Sequence, residues 1–154
     1  MNRFSRSLLV LALAGLGAAG PALAGRGRTA NLETFQVDPQ LCRIDQAPQA
    51  AGFDALRLAV TAALATQPLS AAALRTLAAE LSARLAGIDR HGLVAECQRP
   101  LNQDLNDIGD GIELMRAARR VEAQRVGLSK AVQALNLYGH QFRPAGWQMI
   151  DYRP

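Results

Sequence analysis

Residues near the C-terminus combine the side chain types that bind flat ligands, sugars or peptides. Of the seven aromatic residues in the chain, four follow residue 137, and a histidine and arginines are interleaved with them. Aromatic rings with polar edges beside an arginine can stack on a ligand and hold a negative charge. The sequence therefore suggests a ligand- or partner-binding site at Tyr138, His140, Phe142, Arg143, Trp147 and Tyr152. The alternative interpretation is that these rings close the open end of the protein core.

A run of acidic residues from Asp104 to Asp110 suggests a calcium-binding loop at first sight. The EF-hand loop needs oxygen ligands at its first, third, fifth and twelfth positions and glycine at its sixth. Counted from Asp104, the fifth position is Ile108 and the twelfth is Met115. Since two required ligands are apolar, we interpret the acids as the solvated face of a helix and predict no metal site.

Neither histidine stands in a pattern that indicates catalysis or zinc binding. His91 and His140 belong to no H-x-x-x-H or H-E-x-x-H sequence and to no Cys/His cluster, and no serine lies in a G-x-S-x-G elbow. Covalent haem attachment needs C-x-x-C-H, which is absent, and Met115 falls at a core position of its helix. We therefore expect no cofactor and no enzymatic activity. A hydrolase is retained only as the third functional hypothesis.

The charge of the chain is too small to indicate nucleic acid as the main partner. The full sequence carries 17 Lys and Arg against 13 Asp and Glu, a formal net charge of +4, of which Arg3 and Arg6 lie in the first 24 residues. Without those two arginines the formal net charge is +2. Proteins that bind nucleic acid usually contact more phosphates than so small a positive charge can neutralise. The arginines at positions 116, 119, 120 and 125 could form a surface for an anionic partner, but we prefer to interpret them as an ordinary solvated helix face.

The first 24 residues have the organisation of a secretory signal peptide. Two arginines precede an uncharged run from Leu8 to Ala19, and Ala22-Leu23-Ala24 supplies the small-x-small pattern of a cleavage site. The apolar run of about 12 residues is too short for a bilayer of about 30 Å. We predict cleavage after Ala24, a periplasmic or secreted location, and no membrane-spanning segment in the mature chain.

The two cysteines, Cys42 and Cys97, predict one disulfide bond. An exported chain meets an oxidising compartment, and an even cysteine count favours pairing. The bond would close a loop of roughly 55 residues and stabilise the fold by about 4 kcal/mol in the chain-entropy treatment. A redox-active pair is disfavoured because the sequence has no C-x-x-C motif.

Four helices are predicted from the spacing of apolar residues. The first runs from Ala50 or Gly52 to Thr66, and the second follows an N-cap at Ser70. After a short turn around Cys97, the third runs from Pro100 to about Val126, with a kink expected at Gly109 and Gly111. The fourth follows Gly127 and ends between residues 139 and 143.

These elements predict an all-α fold, a small four-helix bundle with one disulfide. Residues 1–24 form the signal peptide, 25–48 a leader and loop segment, and 49–154 a helical domain that is a single domain with 31–48. A short two-stranded ribbon between the C-terminal tail and the Phe35 segment is a further expectation.

Two functional hypotheses of different classes follow from this framework. The first is an exported, non-enzymatic protein that acts through a protein or cell-envelope partner, with a homodimer as one form of that partnership. The second is a periplasmic small-ligand carrier whose pocket lies at the aromatic C-terminus. A closed bundle with an internal cavity would favour the carrier, whereas surplus apolar faces on the first two helices would favour partner binding or dimerisation.

Overall fold

The computed structural model describes residues 37–38, 41–42, 48–66 and 68–153. Its four α-helices are α1 (Pro48–Leu64), α2 (Ala71–Ala86), α3 (Ala95–Ala117) and α4 (Val121–Phe142). The described part of the chain contains no strand, so the all-α prediction is confirmed there and the ribbon finds no support. The signal peptide, most of the leader and the Phe35 half of the ribbon lie outside the described residues.

The predicted disulfide is confirmed. Cys42 and Cys97 are bonded, with their Cα atoms 5.5 Å apart, and both side chains are buried. The bond joins the segment before α1 to the first turn of α3 across a sequence separation of 55 residues. The bond therefore restrains the N-terminal end of α3, whereas the short α3–α4 turn restrains its C-terminal end.

The first two helices form an antiparallel pair with the expected cap. The hydroxyl of Ser70 accepts a hydrogen bond from the backbone N–H of Ala73, which satisfies a free donor in the first turn of α2. Gly52 near the start of α1 lies against Ile88, just beyond the end of α2; a β-carbon at Gly52 would come within 2.6 Å of Ile88 Cγ1. The start of α1 and the end of α2 are thus adjacent.

The predicted bounds of the third helix and the predicted start of the fourth are wrong, whereas α4 ends at Phe142, within the predicted range. Helix α3 begins at Ala95, so the separate turn around Cys97 is part of it, and it ends at Ala117 rather than near Val126. Ala118 and Arg120 have extended backbones, with ψ of 135° and 136°, and these reverse the chain. The buried side chain of Gln124 donates from Nε2 to the carbonyl oxygen of Ala118 at 3.1 Å and so fixes the turn.

Helices α3 and α4 meet at a backbone contact between Gly111 and Gly127. A β-carbon on Gly111 would lie 2.6 Å from the carbonyl oxygen of Gly127 and 2.8 Å from the nitrogen of Ala131. A β-carbon on Gly127 would lie 2.7 Å from the nitrogen of Met115. These separations are too short for any side chain, so both positions need glycine. Since Gly111 meets Ala131 and Met115 meets Gly127, the two helices are antiparallel.

Helix α3 runs without interruption through both glycines at which a kink was expected. Gly109 and Gly111 lie within its 23 residues, and of these two only Gly111 makes a close backbone contact.

Apolar stripes of all four helices form the core, whose largest fully buried side chains are Tyr138, Phe53, Leu56, Leu74, Leu81, Leu101, Leu105, Ile108, Met115, Leu128 and Leu135. No helix in the described ranges combines the length and apolar character that a membrane crossing requires.

Substitution of the two α3 glycines by alanine is expected to have opposite effects. Gly111→Ala should destabilise the fold by roughly 2 kcal/mol or more, because its methyl group forces α3 and α4 apart. Gly109→Ala should stabilise it by about 0.5–1 kcal/mol, because its β-carbon meets only Leu85 at 3.7 Å and alanine favours the helix. Urea unfolding of both variants measures the difference. Equal effects of the two substitutions would contradict the contact.

Candidate functional site

The aromatic residues predicted near the C-terminus pack mainly against one another and against α1. Tyr138 of α4 is fully buried and stacks on Phe53 of α1, with ring centroids 3.7 Å apart and an interplanar angle of 5°. Phe142 and Trp147 lie 5.2 Å and 5.1 Å from the Tyr138 ring. These rings therefore join α1, α4 and the tail, which is the arrangement expected if they close the core.

Trp147 fixes the tail where it leaves α4. Its indole lies directly on Gly139, where any β-carbon would overlap the ring. The guanidinium of Arg57 lies 5.5 Å from the centre of the same ring and also bonds Asp54 Oδ1 at 2.6 Å. The position of Arg57 as a cation beside the Trp147 ring is not indicated by the sequence, because the two residues are brought together only by the packing of the tail on α1 and α4.

The polar members of the predicted site are not brought together with the rings. His140 and Arg143 are exposed, and Arg143 adopts a left-handed conformation, with φ of 45°, that ends α4. Tyr152 is half-buried farther along the tail, where burial raises the pKa of its hydroxyl and nearby Arg125 opposes the shift. The ring contacts thus join Tyr138, Phe142 and Trp147, while the side chains of His140 and Arg143 are exposed and Tyr152 is half-buried.

The tail runs back along α4 and is held by one side chain. The amide of Asn136 donates to the carbonyl oxygen of Ile150 at 3.0 Å and accepts from its N–H at 2.8 Å. Ile150 itself is buried against the core. The Asn136 side chain thus satisfies both backbone groups of Ile150 and holds the tail against α4.

Asp104 is a buried acid in a helix that was predicted to present all its acids to solvent. Only 1% of its surface is exposed, and its Oδ2 has no hydrogen-bond partner among the described residues. In the antiparallel pair, Asp104 lies seven residues before Gly111 and so at the level of Tyr138, seven residues after Ala131. The carboxyl therefore lies within the α3–α4 interface rather than in solvent.

Burial sets the protonation state of this acid. Desolvation, with a further contribution from the negative charge of Asp107, raises the pKa of Asp104 to about 8. A carboxyl that is neutral at pH 7 can donate a hydrogen bond as well as accept one. Asp104 is thus the residue of this domain best suited to hold a proton, and the sequence analysis missed it.

A signal for the burial of Asp104 is present in the sequence. Cys97, Asp104 and Gly111 are spaced by seven residues, which places them on one stripe of a helix. Cys97 had been assigned to a disulfide, and such cysteines are usually buried. Asp107 and Asp110 belong to the neighbouring stripe, which faces Lys130 and is more exposed. Asp104 therefore differs from the other acids of this run in its burial.

The exposed stripe of α3 forms one surface with α4, which we call the hairpin face. Lys130 of α4 bonds Asp110 Oδ2 at 2.7 Å and lies 3.5 Å from Asp107 Oδ1. The hydrogen bond to Asp110 is the main cause that raises the pKa of Lys130. Three apolar side chains continue the same stripes, namely Leu114 on α3 and Val126 and Leu137 on α4.

Groups of side chains that could hold a metal ion are not found in the described ranges. There, no three His, Cys, Asp or Glu side chains are close enough to hold a metal ion. His91 is exposed in the α2–α3 loop, where its backbone N–H donates to Asp89 Oδ1 at 2.9 Å. Met115 is fully buried in the core, as its place on the apolar stripe predicted.

The described surface grooves are open to solvent. The groove between α1 and α2 has a volume of about 320 Å³ and is lined mostly by alanine, threonine and leucine side chains. A second groove follows the polar face of α3 at Gln98, Asn102 and Asn106. Neither is lined by a member of the aromatic cluster.

A scan of the chain against protein-family models found no match, and searches of curated proteins and of solved structures also found none.

Ionisation of Asp104 is expected to lower the stability of the fold as the pH rises. Its pKa is 3.8 in the unfolded chain and about 8 in the fold, so the folded state binds more protons between these values. The free energy of unfolding is therefore highest below about pH 4. It falls progressively up to about pH 8, by up to roughly 1.4 kcal/mol per pH unit. Asp104→Asn should remove this slope.

Thermal unfolding of wild type and variant at several pH values between 4.5 and 8.5 measures the effect. The matched control is Asp110→Asn, which removes an exposed acid from the same helix. It should shift stability by less than about 1 kcal/mol and leave the pH slope unchanged. Parallel pH profiles for wild type and Asp104→Asn would show that Asp104 is ionised throughout.

Proposed function

We propose that this protein is exported and acts, without catalysing a reaction, by binding a protein or another component of the cell envelope. The observation that carries the proposal is the hairpin face. Val126, Leu114 and Leu137 are 58%, 37% and 36% exposed, and they flank the ion pairs of Lys130. Apolar side chains around a few fixed charges are typical of surfaces that bind partners.

Export is supported by covalent structure and by sequence. The bond between Cys42 and Cys97 belongs to the class of disulfides that persist in oxidising compartments. The predicted signal peptide ending at Ala24 would deliver the chain to such a compartment. Together they favour the periplasm or the extracellular space as the place where the partner is met.

The second candidate is a small-ligand carrier that uses the aromatic C-terminus. It is favoured by two buried groups without hydrogen-bond partners among the described residues, the indole N–H of Trp147 and Oε1 of Gln141. A ligand could satisfy both groups. The stacking of Tyr138 on Phe53 weighs against it, because these rings already fill the space between α1 and α4.

Site-specific photocrosslinking in the native cells tests the proposal. A photoreactive residue at Val126 or Leu137 should give discrete adducts in the envelope fraction, and the same residue at exposed Ala79 of α2 should give none. A crosslinked dimer would identify the partner as a second copy of the chain. Intact mass measurement of the same sample should give a chain that begins at Gly25.

Three results would each contradict part of the proposal. Equal crosslinking at Ala79 and at the hairpin face would mean that the face has no special affinity. A native mass that exceeds the chain by one small molecule, lost on Trp147→Ala, would support the carrier instead. Retention of residues 1–24 in a cytoplasmic fraction would contradict export.

A further inference from the structure

The turn between α3 and α4 concentrates positive charge at one end of the hairpin. We call this region, residues 113–126, the tip. It contains four arginines and two glutamates, an excess of +2. The whole chain without its first 24 residues carries the same excess, so the remaining residues are balanced. The net charge of the protein is therefore localised at the tip.

Two of the tip arginines are available for a partner. Arg116 is engaged by Glu113, with its Nη2 atom 2.6 Å from the carboxylate. Arg119 and Arg120 lie in the extended turn, are exposed, and form no ion pair with the described residues. Their guanidinium groups therefore need no rearrangement of the fold before they meet an anion.

Apolar side chains lie beside these arginines. Val126 follows in the second turn of α4 and is 58% exposed, and Leu114 precedes in the last turn of α3 and is 37% exposed. Tyr152, half-buried near Arg125, brings the tail toward the same end, where exposed Arg153 lies 3.6 Å from Asp151 Oδ1 and adds no net charge. Within the part of the chain that the structure describes, the tip thus combines two arginines without an ion pair, Arg119 and Arg120, with exposed apolar side chains.

The form of the tip favours a membrane surface over a protein as its occupant. A stable protein interface buries about 800 Å² on each partner, which a three-residue turn between two helices cannot supply alone. A bilayer surface adapts to a narrow projection, attracts arginine through anionic headgroups, and accepts apolar side chains at the headgroup boundary. A bilayer surface can therefore bind both the arginines and the exposed apolar side chains of the tip.

We propose that the tip binds bilayers rich in anionic phospholipid. This inference rests on the proposed function, because it names the envelope component that the exported protein meets. Arg119 and Arg120 contact the headgroup phosphates, and Val126 and Leu114 enter the boundary between headgroups and acyl chains. Only the α3–α4 end of the protein is attached, so Leu137 and the ion pairs of Lys130 on the hairpin face stay accessible.

Vesicle cosedimentation of the mature, disulfide-bonded protein tests the proposal. Vesicles of phosphatidylglycerol and phosphatidylcholine should retain the protein, and vesicles of phosphatidylcholine alone should not. The double substitution Arg119→Ala with Arg120→Ala should weaken binding about 25-fold, since each arginine near an anionic surface contributes roughly five-fold. Val126→Ser should weaken it several-fold, because an exposed apolar side chain no longer enters the boundary.

The matched control is Arg75→Ala with Arg90→Ala, which removes two exposed arginines elsewhere and lowers the net charge equally. It should bind as the wild type does. Similar loss in both double variants would overturn the proposal, because binding would then follow net charge alone. Circular dichroism of each variant establishes that the helices are intact.

Failure of this inference is distinguishable from failure of the proposed function. Absence of binding to anionic vesicles, with crosslinking to one envelope protein at Val126, would overturn the lipid proposal and leave a protein partner. Binding to vesicles that is unaffected by Arg119→Ala with Arg120→Ala would place the contact elsewhere and also overturn it. Competition by free inorganic phosphate at millimolar concentration would indicate a small-anion site instead of a bilayer surface.

Discussion

The contact between Gly111 and Gly127 is the constraint on which the rest of the structure depends. Two backbones can come this close only where neither residue has a β-carbon, so the contact occurs at one register of α3 against α4. That register aligns the apolar stripes of the two longest helices. It also requires the chain to reverse at residues 118–120, although their composition suits a helix.

The same register decides which charged residues are buried and which are exposed. Two turns from the contact in one direction, Asp104 is enclosed between α3 and α4, and its pKa is raised to about 8 by desolvation. In the other direction the chain reverses, and Arg119 and Arg120 are left in solvent. One helical hairpin thus keeps an acid neutral in its interior and presents at its tip two arginines that form no ion pair with the described residues, which is the basis of the proposed bilayer contact.

The sequence predicted the fold class, the disulfide and the helix stripes, because these depend on periodicity, cysteine count and local capping. Ser70 shows how local such a signal is, since its hydroxyl bonds Ala73 three residues away. The α3–α4 boundary was missed because glycine was read as a helix breaker, whereas Gly127 serves a contact with a residue sixteen positions away. The burial of Asp104 and the placement of Arg57 over Trp147 depend on such long-range packing, which residue spacing alone does not contain.

Nuclear Overhauser spectroscopy of the labelled mature protein tests the central contact most directly. The account predicts cross-peaks between the α-protons of Gly111 and Gly127, and between the amide of Ala131 and the α-protons of Gly111, since these backbone groups are in contact. Both should persist when Arg119 and Arg120 are replaced. Absence of both cross-peaks, with Gly127 contacting α1 or α2 instead, would contradict the hairpin register and with it the burial of Asp104 and the position of the tip.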